Sequence, residues 1–314
     1  MYLETASRSL LVVRIRQVLP QARIIAPDLP IHPVEAFALL QEVCEHEHPQ
    51  LIIGTSMGGM YAEQLRGYDR ICVNPALQMG DTMKSHGLTG TQQFQNPRQD
   101  GIQEFYVDKT LIKEYRDFSD QRFTGLTDED RQRVYGLFGD KDDLVDTYDL
   151  FRSTYPQAIR FHGEHRMSDH SFMHAVVPVI RWIDDCQEQR QRPIIYIGTE
   201  CLAPRSLSSE REQHPLPSAQ KAVRMLIEHY QVYFVSAPPS YGEGWEETAR
   251  LEEYISVPAW QHTLFTPRRD LLYGDYLISR QKEGDTMATL LEFGSDTFKT
   301  WDDIIDYFSR LGGQ

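Results

Sequence analysis

The sequence predicts an α/β protein built on mostly parallel sheets, and three observations carry that prediction. Short apolar runs alternate with segments of helical period. The run Leu51-Ile52-Ile53 passes through a glycine-rich bend into a helical stretch, and a polar run at 187–193 separates two halves that both show the alternation. With 314 residues the chain has room for two domains of ordinary size, expected at 1–188 and 189–314.

Along the chain, Leu10, Leu11, Ile15, Val18 and Leu19 recur with a helical period, and Ala22–Pro27 then reads as a short buried strand closed by Asp28-Leu29-Pro30. A second helical stretch, Val34–Glu47, leads through His48-Pro49 to the strand Leu51-Ile52-Ile53, the bend Gly54–Gly59 and a helical Met60–Arg66. Further buried strands are expected at Arg70–Val73, Val134–Phe138 and Ala158–Phe161, with helices covering both faces of a parallel sheet. Met79–Thr127 breaks the rhythm. It is polar, rich in Gly, Gln and Asp, and reads as an insertion over the ligand edge of the sheet, with Phe94, Phe105, Tyr106 and Tyr115 as candidate lining of an acyl pocket. A helix at Val176–Cys186 closes the first half. In the second half, strands are expected at Ile194–Ile197, Val232–Ser236 and near Thr289–Phe293, and helices at Ser218–Tyr230 and near Trp245–Tyr254.

Composition narrows the class of partner. Hydrophobic residues make up 40% and charged residues 25%, with 20 Gly and 17 Pro, which excludes collagen-like and low-complexity chains. Forty-six acidic against 32 basic residues give a formal charge of −14, a field that repels phosphate backbones and anionic membrane surfaces, so neither nucleic acid nor membrane is an expected partner. No apolar run approaches the roughly 18 residues of a membrane helix and the N-terminus lacks a secretory pattern, so a cytoplasmic location is expected. Cys44, Cys72, Cys186 and Cys201 show no C-x-x-C spacing and read as scattered reduced thiols. His170 and His174 stand four apart, and Cys44, His46 and His48 gather near a helix end. Neither set is completed by further ligands at fixed spacing, so no metal and no cofactor are expected.

The chemistry-bearing motif is Gly54-Thr55-Ser56-Met57-Gly58, a G-x-S-x-G pattern set between a strand and a helix. Its glycines allow a sharp turn that exposes the serine, and Ser56 is the candidate nucleophile. A serine hydroxyl attacks only once a base removes its proton, and the base needs an orienting acid. Strand Val134–Phe138 runs into Gly139-Asp140-Lys141-Asp142-Asp143-Leu144-Val145, at the end of a strand where open α/β sheets bind ligands. Asp142 is the candidate acid, with Asp140 or Asp143 left to cap the following helix. His162-Gly163-Glu164-His165-Arg166 follows the next strand, and His165 is the candidate base because a loop can carry its imidazole over Ser56.

Over about residues 7 to 186 the chain resembles the YqiA/YcfP-like esterase family of α/β hydrolases, through Ile25-Ala26-Pro27-Asp28-Leu29-Pro30, Ile53–Gly59, Val73-Asn74-Pro75-Ala76, Gly139–Val145 and Gly163–Arg166. The resemblance implies Ser56, Asp142 and His165 as nucleophile, acid and base. It also implies a first strand ending in a His-Gly loop that supplies one oxyanion N–H. The sequence opens at the helix that would follow this loop, which leaves the N–H of Met57 as the expected donor; one lost donor costs about 100- to 1000-fold in rate. A missing first strand also leaves a sheet edge unpaired, where copies of the chain would associate.

The second half, over roughly 193 to 311, resembles the haloacid-dehalogenase-type pyrimidine deoxynucleotidases, a Rossmann-like fold, through Ile194–Glu200, Val235-Ser236-Ala237-Pro238, Gly274-Asp275-Tyr276-Leu277-Ile278 and Phe293-Gly294-Ser295 with Trp301. The resemblance implies an Asp-x-Asp nucleophile and acid, and an Asp pair for magnesium. The matching positions here are Gly198, Glu200, Ser279 and Arg280, so phosphotransfer is not expected. Ser236 and Arg269 fall at the family's phosphate contacts and are candidates for a vestigial anion site. Two functions follow as expectations: a serine esterase or thioesterase working on a small ester or thioester through an acyl-enzyme, or a catalytically weakened or inactive binding or regulatory protein.

Overall fold

A computed structural model of the chain describes residues 10–94, 98–203, 215–237, 251–252, 262–280 and 286–312. The chain divides into two compact units, one of residues 1–158 with 163–172, the other of 159–162 with 173–314. Both hold parallel strand pairs, so the molecule is α/β with mostly parallel sheets.

The helical period at the start gives α1 (Leu10–Val18), and Pro33, whose fixed φ suits a first helical turn, starts α2 (Pro33–Glu47). His48 caps α2 in a left-handed conformation before β1 (Leu51–Thr55). Then come α3 (Met57–Gln64), β2 (Asp69–Val73), α4 (Met79–Ser85), the antiparallel hairpin β3 (Gly90–Gln93) and β4 (Glu104–Val107), α5 (Lys109–Ser119), α6 (Asp128–Gln132) and β5 (Val134–Gly139). After α7 (Tyr148–Arg152) and β6 (Ala158–Phe161), a short helix, α8 (Asp169–Ser171), runs through a π-helical turn into α9 (Val177–Gln187). The sheet order is β1-β2-β5-β6, and β1 pairs with β2 and β2 with β5 in parallel. Parallelism matters for function, because it sends the loops after β1, β2 and β5 to one edge.

Ala22–Pro27 corrects the sequence reading. It forms no strand, and Ile25 is 41% exposed rather than buried. The physical reason is that no strand lies beside it among the described residues, so its backbone has no ladder to join. The stretch that follows is held by single bonds instead: Arg98 Nη1 donates to the Leu29 carbonyl and the Gln99 N–H to Asp28.

The segment read as a polar insertion carries more order than its composition suggested. Leu111, Tyr115 and Phe118 on one face of α5 join Phe94, Val107, Met79 and Met83 in an apolar cluster that also takes in Met57, Met60 and Tyr61 from α3. The insertion therefore packs against the helix that follows Ser56. Of its aromatics, Phe94 and Phe105 meet at 4.7 Å and Tyr115 is buried with its hydroxyl on the Ile31 carbonyl. Tyr106 is 65% exposed, unlike the buried Phe94 and Tyr115.

The second unit carries a five-stranded parallel sheet in the order β11-β10-β7-β8-β9, from β7 (Ile194–Gly198), β8 (Gln231–Ser236), β9 (Thr263–Phe265), β10 (Tyr276–Ser279) and β11 (Thr289–Glu292). Helices α10 (Ala219–His229) and α11 (Trp301–Gly312) pack on it, and the Trp301 indole donates to the Cys201 carbonyl at 2.8 Å. The helix expected near Trp245–Tyr254 lies outside the described residues, except for helical Leu251 and Glu252. Pro238 lies outside them too.

Candidate active site

Gly54 stands one residue before the end of β1, where a side chain would collide: a Cβ there would sit 2.1 Å from the Gly58 carbonyl oxygen. A Cβ at Gly59 would likewise crowd Pro75, at 2.8 Å from its Cβ. These two glycines let α3 start immediately against the strand end, and the residue at the bend takes the strain. Ser56 has φ 52° and ψ −116°, a conformation non-glycine residues rarely adopt. Its backbone is pinned on both sides, the N–H donating to the Val73 carbonyl and the carbonyl accepting from the Ala76 N–H, each at 2.9 Å.

His165 bridges the other two side chains. Its Nδ1 lies 2.8 Å from Asp142 Oδ2 and its Nε2 lies 3.0 Å from Ser56 Oγ. A carboxylate only accepts, so the proton sits on Nδ1 and Nε2 is left to accept from the serine hydroxyl. Asp142 is fixed by its second oxygen, which accepts from the N–H groups of Leu144 and Val145 at 2.9 Å each. The Asp142 side chain is 4% exposed and that of His165 12%, so the pair is largely screened from water. The two loops are also tied directly: Asp140 Oδ1 accepts from the Gly163 N–H at 2.9 Å, and the Lys141 N–H donates to the Gly163 carbonyl. Asp140 thus braces the histidine loop. Met57 opens α3, and the first N–H groups of a helix have no partner within it. Ser56, Asp142 and His165 all lie in the first unit.

In the second unit, β7 ends at Gly198 and β10 at Ser279. Glu200 receives a two-point ion pair from Arg269, with Nη1 at 2.8 Å and Nη2 at 2.9 Å. Arg269 Nη1 also donates to Ser279 Oγ, and Ser279 Oγ donates to Glu200. Arg280 Nε donates to the Glu200 carbonyl at 2.8 Å. Burial by itself would raise the Glu200 carboxyl, but the hydrogen bonds and charge of Arg269 outweigh it and hold the group below the usual carboxylate value. Arg269, a candidate phosphate contact from sequence, is therefore committed to an internal carboxylate. Ser236 is buried at the end of β8. Sequence reasoning missed Glu200 as the partner of Arg269; the signal was there, since an acid replaces the family's second Asp where both metal acids have gone.

The fold is that of an α/β protein with mostly parallel sheets. A family model described as "Uncharacterised protein family (UPF0227)", the YqiA/YcfP esterase group, matches residues 4–180, more than half of the 314-residue chain. The chain belongs to this family. Its nucleotidase-like part is similar to two curated proteins named "Putative 5'(3')-deoxyribonucleotidase". The one from Vibrio phage KVP40 is 27% identical over 100 residues, 30% of this chain and 59% of that protein. The one from Staphylococcus aureus strain Mu50 is 32% identical over 108 residues, 30% of this chain and 58% of that protein. The chain thus spans under three-fifths of the length of these relatives. No helix among the described residues is long and apolar enough to cross a membrane.

Proposed function

We propose that the first unit is a serine hydrolase acting on a small carboxylic ester or thioester, with Ser56 as nucleophile, His165 as general base and Asp142 as its orienting acid. The observation that supports this reading is the imidazole of His165 held at once by Ser56 Oγ, 3.0 Å away, and Asp142 Oδ2, 2.8 Å away. In the reaction His165 Nε2 takes the Ser56 proton as Oγ attacks the acyl carbon. The carbonyl oxygen becomes an oxyanion facing the Met57 N–H, and the C–O or C–S bond breaks as the imidazolium returns its proton to the leaving group. Water, deprotonated by the same imidazole, then releases the acid and frees Ser56. No metal or cofactor enters this sequence.

With this goes a division into an α/β-hydrolase-like domain, 1–188, and a haloacid-dehalogenase-like domain, 189–314, and a cytoplasmic location. The second domain is read as nucleotidase-like in fold without phosphotransfer, because Gly198 offers no carboxylate to attack phosphorus and the Glu200–Arg269 pair occupies its polar cluster. The second reading, a binding or regulatory protein, draws on that same pair.

A fluorophosphonate probe and a series of p-nitrophenyl esters test the proposal. Ser56 should be labelled stoichiometrically, and Ser56→Ala should abolish both labelling and turnover. Absent labelling of a folded chain would reject the hydrolase and leave the binding reading. Magnesium-dependent phosphate release from deoxynucleoside monophosphates should be at background in either case, and robust release would overturn the reading of the second domain.

A further inference from the structure

We propose that Asn74 is the positioning residue that holds the three loops carrying Ser56, Asp142 and His165 in register. It stands directly after β2, which lies between β1, the strand just before Ser56, and β5, the strand that leads to Asp142. The residue is 2% exposed and its backbone is left-handed, with φ 44°, a conformation asparagine tolerates better than most residues. Its amide is fully engaged in three directions. Oδ1 accepts from the Gly139 N–H at 2.8 Å, at the root of the acid loop. Nδ2 donates to the carbonyls of Glu164 and His165, both at 3.1 Å, so the backbone of the base itself is gripped. One acceptor facing an N–H and one amino group facing two carbonyls leave a single orientation of the amide.

The residues beside Asn74 complete the knot. Val73 and Ala76 hold the N–H and carbonyl of Ser56 at 2.9 Å. The Pro75 carbonyl accepts from Thr147 Oγ1 at 2.7 Å, on the chain that continues from the acid loop. One turn of four residues therefore touches nucleophile, acid loop and base loop. The Asn74 amide contacts backbone in every case, so its effect passes through the loops that carry Asp142 and His165.

The inference rests on the hydrolase reading for its kinetic consequences, but its geometric content stands alone, and the test separates the two. Asn74→Asp keeps the volume and the acceptor for Gly139 while setting a carboxylate oxygen against two carbonyl oxygens. Asn74→Gly keeps the left-handed backbone and deletes the amide. Circular dichroism establishes which variants fold. Both should label with fluorophosphonate about 10- to 100-fold more slowly, and kcat on p-nitrophenyl acetate should fall by the same factor with KM within about twofold, since a displacement on the order of an ångström costs that much in rate. The low-field proton resonance of the His165–Asp142 hydrogen bond should vanish as the imidazole and its carboxylate lose register.

Folded variants that keep the labelling rate and the resonance would overturn the positioning role. If the wild-type chain shows the resonance but takes no fluorophosphonate, the hydrolase reading falls while Asn74 is judged on the resonance alone. Where Asn74→Gly does not fold, Asn74→Asp decides.

Discussion

Ser56 occupies a backbone conformation that costs on the order of 1–3 kcal/mol, and neighbouring residues hold it there. Gly54 is one of those residues, because any Cβ would overlap the Gly58 carbonyl oxygen at 2.1 Å, a backbone atom with nowhere to move. Gly54→Ala should destabilise the chain by about 3 kcal/mol or more, at the upper end of overpacking costs, and a urea titration measures it. Asp142 acts through one oxygen on His165 while the other is held by two backbone N–H groups. Asp142→Asn would keep the shape but no longer select the Nδ1 tautomer, so kcat should fall by about 10⁴-fold with KM little changed, as steady-state ester hydrolysis would show.

Between elements, α3, β2 and α6 are stitched by a charge with no exposure to water. The Arg70 side chain is fully buried and donates to the carbonyls of Glu63, Tyr68 and Asp130 and to the Asp130 carboxylate. Burial lowers the Arg70 pKa, yet these acceptors surround it. Glu63 in turn meets Arg66 at 2.9 Å and the Tyr155 hydroxyl. Arg70→Leu should cost about 3–5 kcal/mol by orphaning buried acceptors, read as a lowered urea midpoint. It should also slow ester hydrolysis, because α3 begins directly after Ser56, the proposed nucleophile. At this scale the sequence was legible where periodicity was strong. Leu111, Ile112, Tyr115 and Phe118 follow a helical period and could have revealed α5 inside the segment read as polar. The hairpin β3–β4 was hidden, since Gly90-Thr91-Gln92-Gln93 has no apolar alternation to mark a strand. Ala22–Pro27 misled for the opposite reason: apolar composition reports a tendency to pair, and pairing needs a neighbour.

Across the whole molecule, the two units put their polar clusters to different ends. In the first, Asp142 and His165 form a hydrogen-bonded chain that ends on the Ser56 hydroxyl. In the second, Glu200, Arg269 and Ser279 close on one another. Because the Glu200 carboxyl is held below its ordinary value of 4.5, the folded state binds its proton less readily than the unfolded chain does. The stabilisation is therefore present above about that pH and is lost as pH falls through the folded value. Calorimetry from pH 6 downward should show wild-type melting temperature dropping more steeply than that of Glu200→Gln. Gly198→Asp should not create a phosphatase: its Cβ would stand 2.4 Å from Glu200 Oε1, and a second carboxylate there would compete for Arg269. Malachite-green phosphate release with magnesium should stay at background.

Local signals were sufficient for the alternation of strands and helices, the bend around Ser56, and the loops that follow β5 and β6, because each depends on residue period or on a few adjacent residue types. What only the folded chain decided is which distant groups meet. His165 reaches Ser56 across 109 residues of sequence, Asn74 grips His165 across 91, and Arg269 turns to Glu200 across 69. Such contacts are set by how strands pair and helices pack, and no local pattern encodes the direction in which a buried amide or guanidinium will find its partners.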